Sequence, residues 1–533
     1  MMKKVIKKLL AALLAVAMVC AMAIPAFAFE SWETEEDLNK NHDYIAFQIF
    51  KGVISKDNPT LYGVDWGQHI IDHDDFLEEL RKADRIGPLF ANAKSVPDVL
   101  AVISTWDDSD DDSIAFARFV CHYLYSKGDP KSSIVGGGGA IKIPEPGYYL
   151  IVDNIDFSNG DYYHAYNSFL LVNDTQQGEY NVTINHKVVK PTVEKKVYDN
   201  FDNQDGTSTG DFGSSADHAI NEKFQFQLIA KLPAGRDEGR AYDYYDKYTV
   251  CFNDTLSEGI TYDGLDSVVI ESNGTPYDIT NDSSKYDIDI SNLKSQNSFV
   301  VKIHDVKNCV ANLNDGATIT VTYTAHLNDK AYVNTGSGST ENKNSVQLQY
   351  SNNPRPGEYW GTTPKSEVYV FTYQLNNTKR AEKEDGAPLK DVGFCLYSDE
   401  ACAHKVELYK EGDFYFPIKD ATDKKAVEEM YSDKDGKFNI KGLDAGTYYL
   451  KETNPPADYS ACANKEIVIS ATHDVNHVSL SGNLSTTIIN KKDGGITLPS
   501  TGGIGTTIFY VVGGGLMVAA IVLLVTKKRM ENK

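Results

Sequence analysis

The chain has 533 residues, a formal charge of −23, and 41% hydrophobic and 11% aromatic residues. That length accommodates three or four domains of ordinary size. The acidity suits a soluble, surface-exposed protein and argues against nucleic-acid binding.

Residues 1–28 carry four lysines, an apolar run from Leu9 to Ile24 and then Ala26-Phe27-Ala28. This is the pattern of a secretory signal peptide with an A-x-A cleavage site, so the mature chain is expected to begin at Phe29. Cys20 follows Ala17-Met18-Val19, a poor match to a lipobox. Loss of the four signal lysines and of a C-terminal remainder of net +3 takes the formal charge from −23 to −30. Six cysteines remain, too few for a disulfide scaffold. Cys402 and Cys462 both follow strands of the C-terminal segment and are the candidate disulfide.

Residues 29–188 mix two periodicities. A strand is predicted over 42–53, helices over 76–83, 97–104 and 114–125, and a closing strand over Gly147-Tyr148-Tyr149-Leu150-Ile151-Val152. The expectation is a β-sandwich with a helical insertion. Residues 189–370 read as strand and turn throughout, with no good helical window, and residues 371–492 as one further small sandwich. The predicted class is therefore mainly β, built of tandem Ig-like sandwiches. Residues 493–533 follow as a short linker, the pentapeptide Leu498-Pro499-Ser500-Thr501-Gly502, an apolar span over 504–526 and the basic Lys527-Lys528-Arg529.

Strand parity singles out misplaced polar residues. Side chains alternate between the two faces of a strand, so YYLKETNPPADY puts Glu452 on the same face as Tyr448 and Leu450. By the same count Lys379 shares a face with Tyr373, Leu375 and Asn377, and Asn490 with Leu484, Thr486 and Ile488. A buried unpaired charge is costly, and burial favours a neutral amine and raises a carboxyl pKa. A neutral Lys379 is then able to attack the Asn490 carboxamide while a protonated Glu452 polarises its carbonyl and relays protons to departing ammonia. The product is a Lys379–Asn490 isopeptide bond. In the middle segment Lys195, Asp254 and Asn344 fall on inward faces in the same way, with Lys196 as the alternative lysine. The first segment repeats the strand, since Tyr148-Tyr149-Leu150 aligns with Tyr448-Tyr449-Leu450, but Val152 stands where Glu452 does.

YYLKETNPPADY resembles the Y-x-L-x-E-T-x-A-P-x-G-Y box of CnaB-type domains, and Pro388-Leu389-Lys390-Asp391-Val392-Gly393-Phe394-Cys395-Leu396-Tyr397 resembles their P-L-x-G-A-x-F-x-L-Y strand. Pro455, Asp458 and Asp391 depart from that pattern outside the reacting groups. The segments around Lys195, Asp254 and Asn344, with Leu256-Ser257-Glu258-Gly259-Ile260-Thr261-Tyr262, are similar to the isopeptide-forming fimbrial domain of SpaA-like backbone pilins of Gram-positive bacteria. The resemblance implies a Lys195–Asn344 bond promoted by Asp254.

Leu498-Pro499-Ser500-Thr501-Gly502, with the span and basic tail behind it, matches the L-P-x-T-G sorting signal. This implies that a sortase cuts between Thr501 and Gly502 and passes the Thr501 acyl group to an amine. Such pilins use an acceptor lysine in V-x-V-Y-P-K. Here Val182-Thr183-Ile184-Asn185-His186-Lys187 keeps the alternation and the lysine but has Asn-His for Tyr-Pro, which makes Lys187 the candidate acceptor and Lys190 its competitor. The implied partners are sortases, further copies of the chain, minor pilins and peptidoglycan. The alternative is a singly anchored wall adhesin. No cofactor or metal is expected: Asp107-Asp108-Ser109-Asp110-Asp111-Asp112 lacks a turn glycine, and the segment around Asp202–Gly206 has Phe201 and Phe212 at the outer ligand positions of an EF-hand. No H-E-x-x-H, phosphate loop or nucleophile elbow occurs, so no ordinary enzyme is expected.

Overall fold

The computed structural model describes residues 43–55, 58–106, 111–127, 134–137, 140–143, 145–153, 167–172, 180–183, 191–200, 210–233, 245, 247–310, 313, 316–334, 342–352, 360–474, 477–482 and 484–492. The signal peptide and the apolar span at 504–526 lie outside them. Among the described residues no helix is long and apolar enough to cross a membrane.

Among the described residues seven strands precede residue 190: β1 (Asp43–Ser55), β2 (Asn58–Trp66), β3 (Ile134–Gly137), β4 (Ala140–Ile143), β5 (Gly147–Asp153), β6 (Asn167–Val172) and β7 (Tyr180–Thr183). They form one sheet in the order β2-β1-β5-β6, with β3 also paired to β1, and a two-stranded β4-β7 sheet. The layer over the larger sheet comes from helices inserted between β2 and β3, namely α1 (His73–Lys82), α2 (Val96–Ile103) and α3 (Asp111–Ser126). Helix α1 starts before its apolar spacing does because the Asp72 side chain accepts from the Asp75 N–H, and it presents Phe76, Leu77 and Leu80 to the core. Phe47, Phe50, Leu150 and Val152 pack there against Phe76, Leu80, Phe116 and Val120.

The next thirteen strands are β8 (Thr192–Asp199), β9 (Asp211–Gly213), β10 (Ser215–Asp217), β11 (Lys223–Lys231), β12 (Val250–Leu256), β13 (Ile260–Ser272), β14 (Thr275–Asp278), β15 (Tyr286–Asp289), β16 (Ser298–Ile303), β17 (Thr318–Leu327), β18 (Asn342–Ser351), β19 (Trp360–Thr362) and β20 (Ser366–Phe371). They stack as two sheets, β14-β13-β17-β11-β8-β9 over β10-β20-β18-β12-β16-β15, with β19 paired to β18. Alternating residues such as Phe226, Leu228, Val321 and Phe252, Val301, Leu348 fill the space between them. Contrary to the all-β expectation here, an α-helical turn forms at Leu293–Gln296 and a 3-10 turn at Val306–Asn308. At four and three residues they are too short to show a helical period.

The remaining strands are β21 (Tyr373–Ala381), β22 (Gly393–Tyr397), β23 (Leu408–Glu411), β24 (Phe414–Pro417), β25 (Met430–Tyr431), β26 (Asn439–Leu443), β27 (Gly446–Asn454), β28 (Lys465–Asp474), β29 (His477–Gly482) and β30 (Ser485–Asn490). They make two facing sheets, β23-β24-β26-β21-β30 and β25-β22-β27-β28-β29. No loop separates β20 from β21. Only Thr372 intervenes, and it is buried with its hydroxyl donating to the Leu443 carbonyl at 3.1 Å. Tyr409 and Phe416 of this last sandwich pack into the core of the middle one.

Candidate functional site

One buried polar cluster lies inside the last sandwich. Parallel pairing of β21 with β30 sets Lys379 opposite Ile488 and Ala381 opposite Asn490. Lys379 and Asn490 therefore face the same side of adjoining strands, two positions apart. Glu452 comes from the opposite sheet, where β27 pairs with β22 and Glu452 sits opposite Phe394. Lys379 Nζ donates to Asn490 Oδ1 and, at 3.4 Å, to Glu452 Oε2. Asn490 Nδ2 donates to Glu452 Oε1 at 2.5 Å, and the Cys462 backbone N–H to Oε2 at 2.7 Å. The Lys379 and Glu452 side chains are fully buried. Burial lowers the Lys379 pKa, against the opposing pull of Cys462 and Glu452. The amine is thereby drawn toward its nucleophilic, neutral form.

The second cluster lies in the middle sandwich. Lys195 points inward from β8, whereas Lys196 is half-exposed and lies 3.6 Å from Glu194. Asp254 on β12 and Asn344 on β18 meet Lys195 from the facing sheet, with Leu256 paired to Asn344 and Asp254 to Val346. Lys195 Nζ donates to Asp254 Oδ2. A fourth residue joins them. The Tyr323 hydroxyl accepts from Lys195 Nζ at 3.0 Å and from Asn344 Nδ2 at 2.5 Å, and donates to Asp254 Oδ1 at 3.2 Å. All three roles open to a phenol are thus filled. Asn344 Oδ1 is buried with no hydrogen-bond partner. Burial pushes the Asp254 carboxyl up and the Lys195 amine down, to about 8, each opposed by the charge of the other. Both directions favour the neutral amine and neutral acid that attack on an amide requires.

Residues 376–483 match the SpaA prealbumin-like fold domain, and residues 490–532 match the LPXTG cell wall anchor motif. The last sandwich is a SpaA-type domain. It is followed by an LPXTG anchor, which is a Gram-positive cell-wall address and a sortase substrate. No curated protein matches the chain. Among solved structures the chain is similar to the T6 backbone pilin of serotype M6 Streptococcus pyogenes, at 16% identity over 85% of this chain and 97% of that one, with a TM-score of 0.46. It is also similar to the full-length major pilin SpaD of Corynebacterium diphtheriae, at 18% identity over 68% and 82% with a TM-score of 0.42. A third likeness is to a C-terminal fragment of the major pilin GBS80 of Streptococcus agalactiae, at 20% identity over 56% and 99% with a TM-score of 0.40.

Lys379 and Glu452 fall within the matched part of the SpaA-type domain, and Asn490 just beyond it, on the strand β30 that pairs with β21. The expected Cys402–Cys462 disulfide is absent: both are free thiols. Cys402 Sγ accepts from Asn464 Nδ2 at 3.3 Å. Cys462 instead turns its thiol to Glu452, where burial and that carboxyl push its pKa up to about 12. Asp111 and Asp112 open α3 and pair with Arg85 at 3.0 and 3.2 Å. The rest of that acidic run, Asp202–Gly206, Lys187, Lys190 and the sorting residues Leu498, Pro499, Ser500, Thr501 and Gly502 lie outside the described residues.

Sequence reasoning missed Tyr323. It lies in Thr318-Ile319-Thr320-Val321-Thr322-Tyr323, where alternation assigns it to the core with Ile319 and Val321. The signal that was there is its hydroxyl, because a buried tyrosine O–H normally finds a partner.

Proposed function

We propose that the chain is the backbone subunit of a sortase-assembled, covalently linked surface pilus, braced by two self-formed isopeptide bonds. The observation that carries this reading is the pair of Lys–acid–Asn clusters set in series ahead of an LPXTG anchor. In each cluster the lysine hands a proton to the acid, its neutral nitrogen attacks the asparagine side-chain carbonyl carbon, and the C–N bond to the amide nitrogen breaks. The acid returns that proton to the leaving nitrogen, which departs as ammonia, and takes up the second proton that the attacking nitrogen sheds as it becomes an amide. Glu452 already accepts from Asn490 Nδ2, the leaving group. The chemistry is directed at the chain itself and occurs once per site, so no turnover on an outside substrate is involved.

Segments 29–188, 189–370 and 371–492 act in this reading as three successive units. Lys187 accepts the Thr501 acyl group of the next subunit, so tension enters the fibre at Lys187 and leaves at Thr501. The 195–344 and 379–490 bonds both lie within that path. The first unit lies before it, and its Val152 is buried among apolar side chains where the last unit carries Glu452. Minor pilins join the fibre, peptidoglycan receives its base, and the fibre supports adhesion.

The test is an immunoblot of wall protein released by muramidase and boiled in SDS, from cells carrying Lys187 or Lys187→Ala. The reading expects a high-mass ladder that collapses with the substitution. A single band in both strains overturns polymerisation, and a ladder in both moves the acceptor to another lysine.

A further inference from the structure

We propose that the seam between the middle and last sandwiches holds a divalent transition-metal ion bound by His218, Glu222 and Asp444. The turn after β10 is fastened to the last sandwich by main-chain bonds. The Ile220 N–H donates to the Gly442 carbonyl at 2.9 Å, and the Asp420 N–H to the Asn221 carbonyl at 3.1 Å. Asn221 Nδ2 donates to the Pro417 carbonyl at 2.8 Å. These contacts bring His218 and Glu222, on the turn, against Asp444, at the corner between β26 and β27. Ligand atoms of the three lie within 4.8 Å of one another.

The imidazole supplies the independent observation. His218 is 1% exposed and stacks on Phe224 with centroids 4.1 Å apart. Its Nε2 donates to the Tyr198 carbonyl at 2.7 Å. That bond puts the ring proton on Nε2 and leaves a lone pair on Nδ1, which is buried with no hydrogen-bond partner. One ring N–H held by a carbonyl and the other nitrogen open is the arrangement of a metal-ligating histidine.

The carboxylates suit the same occupant. Asp444 is 5% exposed and lies with Glu222 against the imidazole. The nearby cation, Lys419 Nζ, lies 3.5 Å from Glu222 on a half-exposed side chain that is able to swing out to water. One imidazole nitrogen with two carboxylates favours zinc or manganese over calcium or magnesium, which take oxygen donors, and leaves a position for water. An ion there ties the turn of one sandwich to a corner of the next.

The neighbouring Asp199, Asp217 and His473 serve as the control. There the imidazole is engaged, with His473 Nδ1 bonding Ser215 Oγ at 2.9 Å and Asp217 Oδ2 accepting from Tyr373 Oη at 2.9 Å, whereas His218 Nδ1 has no partner. Only the carboxylates of the His218 group hold bonds within the chain, Glu222 from the Ala219 N–H at 3.0 Å and Asn200 Nδ2 at 3.3 Å, and Asp444 from the Ala445 N–H at 2.8 Å.

The experiment is calorimetric titration of zinc chloride into the full chain, purified in detergent and stripped with EDTA, with thermal unfolding and cobalt absorption read in parallel. The proposal expects one saturable zinc per chain, a raised melting temperature, and a cobalt d–d band. All three should be lost in Asp444→Asn and His218→Gln and kept in His473→Gln. Asp444→Asn keeps the side-chain shape and removes a buried acid, so its fold survives if His218→Gln does not. Absence of saturable binding, binding unchanged in Asp444→Asn, or binding lost in His473→Gln instead would each overturn the assignment.

Discussion

The Lys379 amine touches the side-chain oxygen of Asn490 while Glu452, reaching across from the other sheet, holds the amide nitrogen of the same asparagine. Amine and carboxyl group thus approach one carboxamide from its two ends. Lys379 and Asn490 lie on β21 and β30, the first and last described strands of the sandwich, so the proposed bond between them would close nearly the whole domain into one ring.

That arrangement predicts a mass. The purified chain should be lighter than its sequence by two ammonia molecules. Glu452→Ala should restore one and Asp254→Ala the other, and the double variant should show the full sequence mass. Each lost bond also opens a loop of more than one hundred residues, which by the loop-entropy argument for cross-links costs roughly 4 to 5 kcal/mol of stability. Intact mass spectrometry with thermal unfolding checks both, and an undiminished mass in the parent chain would remove both bonds from the proposal.

Tyr323 tests whether the middle site needs its fourth member. In Tyr323→Phe, Asn344 Nδ2 and Lys195 Nζ each lose their hydrogen bond to the phenol oxygen, while the aromatic packing against Phe226 and Phe299 is retained. A carboxamide no longer held in place should react at least about tenfold more slowly, as expected when an orienting hydrogen bond is lost. A time course of the ammonia loss after refolding is the measurement. A rate equal to that of the parent chain would make Tyr323 a packing residue only.

Strand parity made Lys379, Glu452 and Asn490 legible because the period of a strand is two and admits one answer for each residue. The same count distinguishes Lys195 from Lys196. Parity does not say which strands adjoin, so it cannot show that Lys379 and Asn490 share a sheet while Lys195 faces Asn344 from the opposite one. Tyr323 was hidden because an aromatic at an inward position is ordinary core by composition. His218, Glu222 and Asp444 were hidden for another reason: a turn and a distant corner meet only once two sandwiches dock, and no local spacing records it. The helices were visible from their apolar spacing, and α1 extends beyond that reading because Asp72 caps it.

The joint should respond to pH through His473. Its contacts with Asp199 at 3.4 Å and Asp217 at 3.7 Å raise its pKa to about 9, against the lowering effect of burial. Ser215 and the Phe371 ring complete its surroundings. A histidine whose folded pKa lies above its unfolded value near 6.5 contributes stability that is fully present below pH ~6.5 and is lost as pH rises through about 9. The melting temperature should therefore fall across that window, and fall less in His473→Gln. Lys195 titrates in the same range if its amine is free, so the comparison is between variant and parent with the isopeptide bonds formed. Equal slopes would show that the ion pair does not stabilise the joint.

Gly442 is where the docking of the two sandwiches is least tolerant. Its φ is +82°, and a Cβ there would meet Ile220 Cδ1 at 2.5 Å and Cγ1 at 2.6 Å. Ile220 is fully buried, and its N–H is the donor to the Gly442 carbonyl. Gly442→Ala thus combines left-handed backbone strain, of order 1 to 3 kcal/mol, with displacement of the side chain that seats the turn. The last sandwich keeps its own core around Leu375, Phe394 and Ile440, so the loss should fall on the joint before the domain. Limited proteolysis is expected to cut the variant near residues 217–222 while leaving 373–490 intact, with a lower melting temperature than the parent. If protection of the turn is unchanged, the Gly442–Ile220 contact does not set the docking of the two sandwiches.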